Sequence, residues 1–174
     1  MSDYRNINQL RTAELTVIRS GFWQPDHILT DGQFEYGKLS RPSFGYKEGG
    51  IETATGVYTL KKVTFFGFNL QLLLNGEVIG KLKRNIWDNR TELELNSGLS
   101  AWFVRTPGAG IFTRKTSWMS AEGELMTITS RFEYSKPFAV TMINPDKEKE
   151  NLLLLALIGI HLRLMKNARA AATQ

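Results

Sequence analysis

The sequence predicts a mainly β fold, a closed antiparallel β-barrel of about 11–12 strands with a buried hydrophobic C-terminal α-helix. Two observations lead there. Between residues 14 and 143, turn residues recur every 8 to 12 or so positions and separate short β-rich runs, the spacing of a sandwich or barrel. After them comes Leu152-Leu153-Leu154-Leu155-Ala156-Leu157-Ile158-Gly159-Ile160, more than two helical turns with no polar stripe. A helix that is apolar on every side must be buried on every side. A chain of 174 residues, 42% apolar and 22% charged, suits one domain with a substantial core.

Residues 1–13 are polar and read as a flexible leader without the apolar run of a secretory signal. Ser2 stands where N-myristoylation needs glycine. Strands are then expected at 15–19, 27–30, 34–38, 56–60, 63–66, 70–74 and 78–82. Others are expected at 91–95, 101–105, 110–115, 116–120, 125–134 and 138–143. The cleanest alternation is Thr91-Glu92-Leu93-Glu94-Leu95, which sends Leu93 and Leu95 inward and both glutamates to water. Asn75-Gly76 marks a two-residue hairpin, because a type I′ turn needs positive φ at both central residues. Lys47-Glu48-Gly49-Gly50 reads as a flexible turn. Thr106-Pro107-Gly108-Ala109-Gly110 reads as a hairpin loop, because a phosphate loop would continue with Lys-Ser/Thr into a helix.

The domain is expected to span 14–166, with its central helix at 147–166 and a flexible tail at 167–174. Asp146 is the expected N-cap, and Glu148 and Glu150 suit the positive end of the helix. Residues 152–165 would extend about 21 Å, short of a ~30 Å hydrocarbon core but close to the height of a barrel with short strands. A β-sandwich with its tail helix at a dimer interface is the alternative arrangement.

Lys and Arg number 22 against 17 Asp and Glu, a net charge of +5. Every acid lies at or before Glu150, whereas His161, Arg163, Lys166 and Arg169 follow it. Cations there suit the negative end of a helix. The absence of cysteine removes disulfides, thiolate metal sites and cysteine nucleophiles. His27 and His161 lack metal-ligand spacing, no strained serine elbow occurs, and Glu92 with Glu94 reads as a solvated face. No catalytic residue, metal or cofactor is therefore expected, and the protein reads as a non-enzyme of the cytoplasm, peripheral to the membrane if it binds lipid.

Basic residues form the one patch that points to a partner. Lys81, Lys83 and Arg84 leave the Asn75-Gly76 hairpin, Trp87 and Arg90 follow, and Lys61-Lys62 and Arg114-Lys115 add two pairs. Brought together by barrel closure, such residues would form a phosphate-sized cationic pocket. An anionic membrane surface or a small phosphorylated ligand is the expected partner. A protein partner with no small ligand is the alternative. Nucleic acid is disfavoured, since +5 is modest and no aromatic stacking motif occurs.

Three features resemble the tubby C-terminal-like superfamily, which includes the phospholipid scramblases and LURP-one-related proteins. One is the order of elements ending in the apolar helix 152–165. The second is the hairpin Leu72-Leu73-Leu74-Asn75-Gly76-Glu77-Val78-Ile79-Gly80-Lys81-Leu82, and the third is Ser130-Arg131-Phe132-Glu133-Tyr134, read as an amphipathic strand. The resemblance covers residues from about 15 to 165. It implies a twelve-stranded barrel around its C-terminal helix and binding of anionic lipid headgroups. The scramblases' palmitoylated cysteine cluster has no counterpart here.

Overall fold

A computed structural model describes residues 4–40, 48–63, 68–85, 89–106, 114–145 and 148–172. Its strands are β1 (Glu14–Ser20), β2 (Asp26–Thr30), β3 (Glu35–Ser40), β4 (Glu48–Thr53), β5 (Gly56–Lys62) and β6 (Asn69–Leu74). They continue with β7 (Glu77–Asn85), β8 (Arg90–Leu95), β9 (Ser100–Arg105), β10 (Lys115–Ser120), β11 (Gly123–Ser130) and β12 (Phe138–Met142), followed by the helix α1 (Lys149–Ala172). Each strand pairs antiparallel with its sequence neighbours, and β1 also pairs with β12 through Leu15↔Val140 and Val17↔Phe138. That last ladder closes the barrel and leaves no open edge.

Alternation supplies the inner wall. Val17, Leu39, Leu60, Leu72, Leu82 and Leu93 are all fully buried, each on a different strand. A barrel of twelve strands is too wide for such side chains to fill alone. α1 fills it, with every residue from Leu152 to Arg163 buried. By length and composition α1 could cross a membrane, yet most of its most apolar stretch lies inside the strands. Trp118 of β10 fixes its depth, donating its indole N–H to the Leu155 carbonyl at 2.7 Å.

Two glycines show how closely wall and helix approach. A Cβ at Gly49 would lie 2.8 Å from His161 Nδ1, and one at Gly159 would lie 2.5 Å from Ile128 Cδ1 and 2.8 Å from Trp118 Nε1. Gly49 and Gly50, expected in a turn, are strand residues of β4. The glycine serves a close packing distance there, and its pattern resembles a turn only when read locally. The expected N-cap Asp146 lies outside the described residues, as do most positions of the expected strands 63–66 and 110–115.

Three further expectations change. Residues 131–137 form a loop, so the expected strand through Phe132 and Tyr134 stops at Ser130. The leader is anchored: Ile7–Gln9 form a 3-10 turn, Ile7 is buried, and Arg5 N–H donates to the Glu35 carbonyl at 2.9 Å. The helix runs on to Ala172, through residues expected in a flexible tail. Asn75 and Gly76 both take positive φ, 51° and 91°, as their hairpin requires.

Candidate functional site

Antiparallel order sends the ends of β1, β7, β9 and β11 and the starts of β8, β10 and β12 to the same end of the barrel. α1 enters from the opposite end, where β12 finishes, so its C-terminal turns emerge here. A cavity of about 750 Å³ opens at this mouth. Seven cations line it: Arg84 from β7, Arg105 from β9, Arg114 and Lys115 at the start of β10, and Arg163, Lys166 and Arg169 from α1. No Asp, Glu or His is among the described lining residues. Phe68, Phe103, Leu162 and Met165 add apolar surface.

Arg163 is the deepest of these charges. Only 7% of the residue is exposed, and its Nη2 donates to the Arg114 carbonyl at 3.0 Å and to Ser130 Oγ. Its Nε is buried with no hydrogen-bond partner. Burial, then the neighbouring Arg114 guanidinium, works against its charge and pulls its pKa down. A buried cation held by a carbonyl and a hydroxyl, with no carboxylate among the described lining residues, is an energetically unfinished arrangement that an anion would complete. Lys166 shows the same field. Partial desolvation of this otherwise exposed residue, followed by Arg163, Arg84 and Arg105, pushes its pKa below the ordinary lysine value.

Spacing on α1 builds this convergence. Residues 163, 166 and 169 are three apart, so at about 100° per residue they share an arc of about 120° on one side of the helix. Arg169 places its guanidinium 5.6 Å from the Phe68 ring. The acid-free C-terminal segment is the signal in the sequence, and its fit to a helix terminus concealed that these cations converge with others.

The basic patch expected on the hairpin divides. Lys81 and Lys83 stand on the outer wall, paired in register with Glu94 and Glu92 of β8. Lys81 Nζ lies 3.0 Å from Glu94, and that hydrogen bond and charge hold the Glu94 carboxyl below its usual pKa. Arg90 Nε donates to Glu92 at 2.8 Å. Arg84 alone of the four basic candidates lines the cavity, beside Asn89, to which it donates a hydrogen bond. Trp87 lies outside the described residues. Of the secondary pairs, Arg114 and Lys115 line the cavity, while Lys61 and Lys62 are not among its lining residues.

His161 is buried against Gly49 in the barrel interior, and no cluster of three potential metal ligands occurs among the described residues. No protein family, curated protein or solved structure matches the chain.

Proposed function

We propose that the protein is a non-enzymatic binding domain whose barrel mouth takes a phosphorylated anion. The observation that supports this most directly is Arg163, a buried guanidinium with an unpartnered Nε in a cavity of seven cations without a described acid. A phosphate offers several acceptor oxygens to such a fork, and charge-assisted bonds of this kind contribute roughly 1.5–3 kcal/mol each when desolvated. Lys166, Arg114 and Arg84 supply further positive charge. Thr91 and Thr116 line the cavity with no histidine or carboxylate among the described lining to activate a hydroxyl, and Thr116 Oγ1 donates to the Ile128 carbonyl. That favours binding over catalysis.

A lipid headgroup and a soluble phosphorylated molecule present the same chemistry. The tubby-like resemblance and the basic mouth both agree with this reading. Calorimetric titration with pyrophosphate tests it, in wild type, Arg163→Leu and the Lys81→Ala/Lys83→Ala pair. Saturable binding weakened at least ten-fold by Arg163→Leu, about 1.4 kcal/mol, and unchanged in the outer-wall pair is expected. Absent binding, or equal binding by Arg163→Leu, overturns the proposal and favours an interaction module with no small ligand.

A further inference from the structure

We infer that the barrel mouth is a membrane-docking face, on which Phe22, Trp23, Phe132 and Tyr134 enter the interfacial layer of an anionic bilayer beside the cationic cavity. This rests on the reading of the cavity as a phosphate site and names the source of the phosphate. The four most exposed large hydrophobic side chains are Phe132 at 95%, Trp23 at 85%, Phe22 at 79% and Tyr134 at 66%. All four lie on two loops, 21–25 between β1 and β2 and 131–137 between β11 and β12, at the cavity's end of the barrel. The second loop is tied to the end of β1, just before the first loop, where the Arg19 backbone N–H donates to the Ser135 carbonyl at 2.8 Å. Phe132 also reaches the cavity margin, with the Arg114 guanidinium 5.7 Å from its ring centre.

The opposite end is different in kind. Its described turns, 31–34, 54–55, 75–76, 96–99 and 121–122, are mostly polar or small, and its exposed large hydrophobics, Phe34, Val57, Val78 and Ile143, are only 36–54% exposed. Exposed aromatic rings are costly to leave in water, and four of them at one end mark a contact surface. Their setting favours lipid over protein. Two of them lie against arginines, Tyr134 4.0 Å from the Arg19 guanidinium and Phe132 beside Arg114. An aromatic ring in the headgroup layer with a guanidinium at phosphate level is an arrangement a bilayer interface accommodates. Protein interfaces also enrich aromatics and arginine, so the choice of lipid rests on the cationic cavity beside these loops, whose described lining holds no acid. The net charge of +5 complements an anionic leaflet.

The test uses flotation with phosphatidylcholine vesicles containing 30 or so mole per cent phosphatidylserine, alongside pyrophosphate titration. Phe22→Ser/Trp23→Ser/Phe132→Ser/Tyr134→Ser alters only exposed side chains, and its melting temperature verifies folding. Wild type should float with these vesicles and not with pure phosphatidylcholine. The quadruple variant should lose at least ten-fold in vesicle affinity while binding pyrophosphate like wild type. Brominated lipid should quench wild-type tryptophan emission more than that of Trp23→Phe. Equal flotation of variant and wild type overturns the docking face, as does pyrophosphate binding with no flotation by either protein. In both cases the cavity reading stands, and the rim becomes a surface for a protein partner. Failure to bind either probe overturns both.

Discussion

The outer wall and the barrel mouth use the same residue types for opposite ends. On the wall, Lys81 meets Glu94 across neighbouring strands and Arg90 meets Glu92 along β8, both at hydrogen-bonding distance and open to water. At the mouth, Arg163 is buried, and Lys166, itself exposed, is crowded by Arg163, Arg84 and Arg105. The wall gains solubility and little stability, because exposed pairs are screened and mobile. The mouth crowds like charges together. A basic residue therefore signals a binding site less by its charge than by what the fold sets opposite it.

The largest effect should come from removing what divides the two regions, the threaded helix. Leu155→Asp puts an unpaired carboxylate among fully buried side chains and should destabilise by about 3–5 kcal/mol or prevent folding, as read by urea denaturation. A wild-type midpoint would show that α1 is not held inside the wall. Gly159→Ala is a gentler version. Helix propensity alone would favour alanine by about 1 kcal/mol, but the new methyl meets Ile128, Trp118 and Phe103. A net loss of about 1–2 kcal/mol is expected, and stabilisation would mean the contact is slack.

Arg163→Leu separates stability from function at the mouth. Removing a desolvated charge offsets the two hydrogen bonds lost to Arg114 and Ser130, so unfolding free energy should stay within about 1 kcal/mol of wild type. Anion binding should nevertheless collapse. A large stability loss with binding intact would make Arg163 a structural residue and erase the contrast. Lys81→Ala should change neither stability nor binding measurably.

The smallest effect is a difference in titration. Lys38 is held above the ordinary lysine pKa, first by its hydrogen bond to Glu52. Its contribution to stability is complete below its unfolded pKa and lost as pH rises through the raised folded value. Lys166 has the opposite sign. Its charge is disfavoured by the fold, and that penalty disappears as pH rises from the lowered folded value toward the unfolded one. Nitrogen-15 spectra of the side-chain amines should show Lys166 titrating first. Bound pyrophosphate should raise the Lys166 value, so affinity should fall as pH passes through it. A Lys166 that titrates with or after Lys38 would contradict the crowding of charge at the mouth.

What could be read along the chain was whatever depends on near neighbours. Strand alternation at 91–95, the Asn75-Gly76 turn and the unbroken apolarity of 152–160 are local, and each forces one conformation or one degree of burial. Together they leave few arrangements besides a barrel around a helix. The site is a different matter. Lys81 and Lys83 are adjacent in the hairpin, but their partners Glu94 and Glu92 arrive only with strand register. Arg84, Arg105, Arg114 and Arg163 are far apart in sequence and meet because the barrel closes and α1 runs its full height. Gly49 resembled a turn until His161 came to lie against it. Phe132 and Tyr134 resembled one side of a strand until β11 ended at Ser130. Pairing, crowding and exposure are relations between distant parts of the chain, and they acquire values only when closure fixes the distances.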